Sequence, residues 1–248
     1  MIFGDFHAHT KFSDGKNKME DMVSAAVDKG LKQFGITDHG LRHVAFGLTR
    51  KEIPLARQKL EELKIKYPQI KLYYGIETNI YSSSGSIDLR PEDYDNFDYI
   101  IAGFHKGVWA KDFIDMFRYN LPGFFCELHY FSKSEIKLYT STFINAIKHG
   151  RVNIISHPCY ALPMDIVEVG KAALDYGVLM ELNGKKVSMS DQQVLQLQDL
   201  GTNFIVNSDA HRCDRVGDFT VPLGVVDRLK LNKDKIVNWD KEVSFIKR

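Results

Sequence analysis

Cysteine is scarce in this 248-residue chain. Cys126, Cys159 and Cys213 are too few and too scattered for a disulfide framework or a cysteine-type zinc knot, and the chain reads as cytoplasmic. Long apolar runs are missing too. No stretch reaches the roughly 18 residues that a membrane span needs. The opening MIFGDFHAHT lacks the basic region, apolar run and cleavage site of a secretory leader, so the mature chain is expected to start at or near Met1. Excess charge is absent: 33 Lys and Arg face 32 Asp and Glu, a net of +1. That balance gives no global pull toward nucleic acid or acidic lipid and points to a small partner. No Pro/Ser-rich linker or low-complexity tract divides the chain, so residues 1–248 read as one domain, with 44% hydrophobic content to build its core.

Short apolar runs alternate with amphipathic segments along the whole length. Strands are expected at Ile2 to His7, Gln33 to Thr37, Lys71 to Ile76, Asp98 to Phe104, Val152 to Ser156, Val178 to Leu182 and Asn203 to Asn207. Several are almost continuously apolar, as parallel strands covered on both faces are. Between them, Thr49 with Glu52, Ser132 with Glu135 and Ser190 with Gln193 have the spacing of helix-opening capping boxes. Gly30, Gly150, Gly177 and Gly201 stand where those helices should stop, in the left-handed conformation glycine tolerates. Strand and helix in repeated alternation predict a parallel sheet, open or closed.

The unusual side chains favour closure. Of nine histidines, six fall at or just past the end of an expected strand: His7, His9, His39, His105, His157 and His211. Glu77 and Asp209 occupy the same kind of position, and Asp14 lies in the loop after the first strand. In a parallel barrel all strand C-termini open onto one mouth, where these residues can meet; an open sheet would spread them along an edge. Imidazole with carboxylate suits zinc, manganese or iron. A lone histidine is usually an ordinary loop residue, but six at equivalent strand ends are not scattered as chance would scatter them. His129 and His149 read as structural, the latter complementing a helix dipole, while His43 is a candidate substrate contact.

Together, His7-Ala8-His9-Thr10 with Ser13-Asp14-Gly15, Thr37-Asp38-His39-Gly40, Gly75-Ile76-Glu77, His105, Ser156-His157-Pro158 and Ser208-Asp209-Ala210-His211 resemble the polymerase and histidinol phosphatase (PHP) family. IIAGFH, IISHP and MELN are most similar to its stand-alone YcdX-type phosphatases. The resemblance implies a distorted seven-stranded (β/α)7 TIM-like barrel, the PHP fold, holding up to three divalent metal ions. It would place His7, His9, Glu77 and Asp209 on the first metal, and Glu77, His105 and His157 on the second. Asp14, His39 and His211 would hold the third. YcdX-type members often carry a histidine where this chain has Asp14, and carboxylate occurs there in other members; an oxygen ligand makes that site harder and more tolerant of manganese or iron.

The implied reaction is hydrolysis of a small phosphomonoester by a metal-bridging hydroxide, with no protein nucleophile, Glu77 and Asp209 positioning the metals. Asp38 could orient the His39 ring or form a turn. Lys106, Arg212 and Arg215, with Arg42, lie beside ligand motifs as candidate phosphate contacts, and Asn183, after the sixth strand, could orient substrate. Cys159 reads as a packing residue. The aromatic segment Trp109 to Phe131 leaves the mouth and would cover the site, form an interface or pack outside the barrel.

Histidinol phosphate is one substrate candidate within this reading. A phosphodiesterase or nuclease of the same fold is disfavoured by the balanced charge. An amidohydrolase barrel also starts with His-X-His, but it usually has lysine where His105 stands and a lone aspartate where Asp209-Ala210-His211 stands. A metal-binding regulatory barrel is disfavoured by the completeness of the ligand set. Composition and motifs leave the oligomeric state open.

Overall fold

The computed structural model describes residues 1–246. Its seven strands are β1 (Gly4–Asp5), β2 (Gln33–Ile36), β3 (Lys71–Asn79), β4 (Tyr99–Gly103), β5 (Ile154–Ile155), β6 (Leu179–Asn183) and β7 (Phe204–Asn207). They pair in sequence order, every neighbouring pair parallel. All seven expected strands are present at their places. The seam between the first and last is closed by a parallel bridge, Ala8 to Ala210, with the His9 N–H donating to the Ala210 carbonyl at 2.8 Å and the Ala210 N–H to the His7 carbonyl at 3.2 Å. The sheet is therefore a distorted (β/α)7 barrel, and its closing ladder runs through the histidines themselves.

The longer helices pack outside: α1 (Met19–Asp28), α2 (Glu52–Lys66), α5 (Lys133–His149), α6 (Ile166–Asp175), α7 (Asp191–Leu200) and α8 (Thr220–Leu229). Two short pieces, α3 (Phe113–Asp115) and α4 (Leu121–Phe124), flank a π-helical turn at Met116–Asn120. No helix among the described residues is long and apolar enough to cross a membrane.

The capping boxes at Ser132 and Ser190 form as expected: the Glu135 carboxylate accepts the Ser132 N–H at 2.8 Å, and Gln193 accepts that of Ser190 at 2.8 Å. The third does not close. The Glu52 carboxylate accepts the Thr49 N–H at 2.8 Å, but the Glu52 N–H goes to the Thr49 carbonyl at 2.9 Å rather than to its hydroxyl, and α2 starts at Glu52 behind Lys51. Gly30, Gly177 and Gly201 have positive φ, but Gly150 has φ −89° and the left-handed turn falls on Arg151 instead.

Strand periodicity separates two layers of core. On β4, Ile100 and Ala102 join the helix-facing cluster, while Tyr99 and Ile101 point into the lumen with Phe6, Ile154 and Ile205. Tyr99 crosses the floor of the lumen, its hydroxyl donating to the Phe6 carbonyl at 2.8 Å and its ring stacked on Phe245. Space for it comes from two glycines: a Cβ at Gly35 would lie 2.0 Å from the Tyr99 hydroxyl oxygen, and one at Gly75 2.5 Å from its ring. An aromatic plug thus fills the lower lumen, leaving its upper end for polar side chains.

Gly35→Ala should overpack that plug and lower stability by about 1–3 kcal/mol, read by thermal or urea unfolding. Because the clash is with the hydroxyl, the Gly35→Ala/Tyr99→Phe pair should be more stable than the two single effects added together; strict additivity would contradict this packing.

Candidate metal centre

Glu77 follows Tyr73 and Gly75 on the lumen-facing row of β3, and it is buried. Five imidazoles face its carboxylate: His7 at 3.2 Å, His105 and His157 at 3.0 Å from Oε1, and His9 at 3.4 Å and His39 at 3.2 Å from Oε2. Asp209 Oδ1 lies 3.6 Å from His7 Nε2 and 3.4 Å from His9 Nε2. Asp14 reaches His211 Nε2 at 3.0 Å and His39 Nε2 at 3.6 Å. All nine residues named from the strand ends meet at one mouth. The grouping is more shared than three separate sets: His9 turns Nδ1 toward Asp14 at 3.8 Å, and His39, Glu77 and His105 also form a compact group.

The donor atoms are those a cation would take. His7 Nε2, both nitrogens of His9 and His105, His39 Nδ1, Asp14 Oδ1 and Asp209 Oδ1 are buried without a hydrogen-bond partner among the described residues. Such atoms are costly to bury unless paired or coordinated. An all nitrogen-and-oxygen set fits zinc, manganese or iron. Two contributors, His157 (φ +31°) and Asp209 (φ +53°), sit in left-handed backbone that disfavours a side chain, strain of the kind retained at functional sites.

Supporting groups orient the donors. Glu181, buried on β6, accepts from His7 Nδ1 at 2.7 Å, the His157 N–H at 2.8 Å, and the amides of Asn183 and Asn207 at 2.9 Å. This presents His7 Nε2 to Glu77 and Asp209, the nitrogen a cation would take once its proton is displaced. Asn183 also donates to Asp209 Oδ2 at 3.1 Å, directing Oδ1 inward. Asp38 takes neither expected role: it accepts from the Thr10 N–H at 2.7 Å, the Thr10 hydroxyl at 2.8 Å and the Ser13 hydroxyl at 2.6 Å, pinning the loop that carries Asp14.

Burial opposes charge at His7, His9, His39, Glu77 and His105, and the balance with the neighbouring charges decides each outcome. His39 is pushed up to about 10 by Asp14 and Glu77 despite its burial. His7 is raised by Glu77, Glu181 and Asp209 against burial, and Glu77 is held well below the usual carboxylate range by His7 and His105. Burial drives His105 down to about 4 and His9 downward.

A cavity of about 240 Å³ opens over the cluster, walled additionally by Tyr160, Asn183, Lys185, Lys186 and Ser188. His43 stacks on His39 at 5.4 Å between ring centres, its Nδ1 accepting the Phe46 N–H at 3.2 Å. Arg212 is held by Asp214 at 2.9 Å and Arg215 is paired with Asp218; neither they nor Lys106 wall the cavity. Arg42 is spent on the carbonyls of Trp109 at 3.0 Å and Ala110 at 3.1 Å. In the aromatic segment Tyr119 is core, wedged between Phe104 and Tyr139, whereas Trp109, Phe113, Phe117 and Tyr130 are exposed. Cys159 packs against the core, and His129 pairs with Glu135 at 2.7 Å. Glu181 and Lys185 were not singled out from the sequence; the signal for Glu181 is an acid inside the apolar run VLMELN, in register with Asn183.

A family model described as PHP domain matches residues 5–185. A probable phosphatase of Shewanella sediminis is 28% identical over 253 residues, 96% of this chain and 90% of the relative. Probable phosphatase YcdX of Escherichia fergusonii is 28% identical over 249 residues, 94% and 89% respectively. Among solved structures, histidinol phosphate phosphatase from Lactococcus lactis, complexed with zinc, L-histidinol and phosphate, superposes with a TM-score of 0.64 at 15% identity, covering 93% of this chain and 95% of that one. A chain from the crystal structures of YwqE from Bacillus subtilis and CpsB from Streptococcus pneumoniae, described as metal-dependent tyrosine phosphatases, gives 0.51 at 17% identity, covering 98% of this chain and 96% of that one. At these identities the structural likenesses establish the fold.

Glu181→Gln should loosen the His7 ring and weaken metal affinity by about 10–100-fold, measured by chelator competition; unchanged affinity would remove Glu181 from the supporting shell. Because His7 and His39 hold their protons above the usual imidazole range, cations must displace those protons. Metal affinity should therefore rise with pH, by about tenfold per unit for each proton displaced below pH 8; a flat profile from pH 6 to 8 would contradict these protonation states.

Proposed function

The chain belongs to the PHP domain family, and from that premise we propose that it is a metal-dependent phosphatase that hydrolyses a small phosphomonoester. The observation that carries this reading is the set of buried, unpartnered nitrogen and oxygen atoms converging on the Glu77 carboxylate beneath an open cavity. Divalent cations held there, up to three and drawn from zinc, manganese and iron, would supply Lewis acidity toward phosphate oxygens and make an attacking water more acidic. His7, His9, Glu77 and Asp209 form one ligand set in this reading, Glu77 with His105 and His157 a second, and Asp14 with His39 and His211 a third.

The protein's own part is placement. Glu77 offers Oε1 to His7, His105 and His157 and Oε2 to His9 and His39, so a single carboxylate spans neighbouring ligand sets. Glu181 and Asn183 hold His7 and Asp209 in register, and Asp38 holds the Asp14 loop. We read residues 1–248 as one functional unit, because Asn238 and Val243 hydrogen-bond β1, β2 and β7 from the C-terminal segment. The cavity, about 240 Å³, suits a small ester better than a polymer.

The test is a panel of phosphate esters offered to protein stripped by chelator and then repleted separately with zinc, manganese or iron. Phosphate release should require metal, and Glu77→Gln should lower it by more than about a hundredfold. Failure to release phosphate from any ester under all metal conditions would overturn the reading.

A further inference from the structure

Resting on the phosphatase reading, we propose that Lys185 binds the phosphoryl group of the substrate and selects a terminal, dianionic phosphate over a diester. β6 contributes none of the nine candidate ligands, yet the loop that follows it forms one wall of the cavity. The loop is built to hold its place. Asn183 Oδ1 accepts the backbone N–H of Lys185 at 2.9 Å and that of Lys186 at 3.4 Å, an Asx turn. Gly184 lies flat on the end of β7, where a Cβ would come within 2.6 Å of the Ser208 carbonyl oxygen. This contact brings the Lys185 ammonium to 3.2 Å from Asp209 Oδ1 and 3.4 Å from His211 Nε2, with its side chain half exposed to the cavity.

Lys185 and Lys186 are the lysines among the described residues walling the cavity, which has no arginine in its wall. Lys185 is the one that reaches the ligand atoms. The arginines near the ligand motifs are engaged elsewhere: Arg212 with Asp214, Arg42 with backbone carbonyls. With His211 Nε2 engaged as a ligand and Asp209 Oδ1 shared with a cation, the three N–H donors of the Lys185 ammonium are not all taken up, and it faces an anion entering the cavity. A monoester presents two negative charges and three terminal oxygens, one of which can accept a charge-assisted hydrogen bond from the ammonium. A diester has one charge fewer, and its second ester group displaces one of those terminal oxygens.

The experiment compares metal-replete wild type, Lys185→Met and Lys185→Arg. It measures metal content and the dissociation constants of inorganic phosphate and dimethyl phosphate by calorimetry. Lys185→Met should keep its metal, bind phosphate about tenfold more weakly, and change little toward dimethyl phosphate; Lys185→Arg should recover most of the loss. Unchanged phosphate affinity, equal losses for both anions, or loss of metal from Lys185→Met would overturn the assignment, the last making Lys185 a support for Asp209. Lys185-dependent phosphate binding in a protein that hydrolyses no ester would keep the binding role and remove the phosphatase reading, so the two fail separately.

Discussion

One buried carboxylate organises this molecule. Glu77 stands within 3.0 to 3.4 Å of five imidazoles carried by the ends of β1, β2, β4 and β5. No open sheet could bring those four strand ends together around a side chain from a fifth; the convergence requires curvature and closure. Burying so many lone pairs without partners is unfavourable for the folded chain on its own. The barrel tolerates it because the cluster sits above a tightly packed floor and because cations would satisfy the same atoms.

That division of the lumen follows from strand periodicity. Lumen-facing positions read aromatic or aliphatic near the strand starts and polar near the strand ends: Leu179, Glu181 and Asn183 along β6, Ile205 and Asn207 along β7, Tyr73 and Glu77 along β3. Gly35 and Gly75 give the Tyr99 ring its room, so the lower half supplies stability while the upper half is left to chemistry. The seam matters for the same reason. Its bridge from Ala8 to Ala210 lies between His7 and His9 on one strand and Asp209 and His211 on the other, which couples closure of the barrel to the placement of four candidate ligands.

Much of this was legible in the sequence. The apolar runs locate the strands, and the histidines that follow them acquire a common mouth once the strands are parallel; His105 and His157 are 52 residues apart in the chain yet both meet Glu77 Oε1 at 3.0 Å. What depends on side-chain direction was not legible. Arg212 follows His211 directly, but the turn at Cys213–Arg215 aims it at Asp214. Glu181 is hidden because a buried acid inside an apolar strand is recognisable only when its donors, distant in sequence, are seen around it. Asp38 adjoins His39 yet serves the preceding loop, and most of the aromatic segment stays exposed where a packed layer was one expectation.

The central claim is that Glu77 is shared between cation sites. The most direct measurement is anomalous diffraction from crystals of the metal-repleted protein, collected at the absorption edge of the metal supplied. The account predicts separate anomalous peaks with each Glu77 oxygen about 2.0–2.2 Å from a cation, one beside His105 and His157 and another beside His7, His9 and Asp209. Peaks absent from the mouth, or a single peak that engages the histidines and leaves Glu77 uncoordinated, would contradict it.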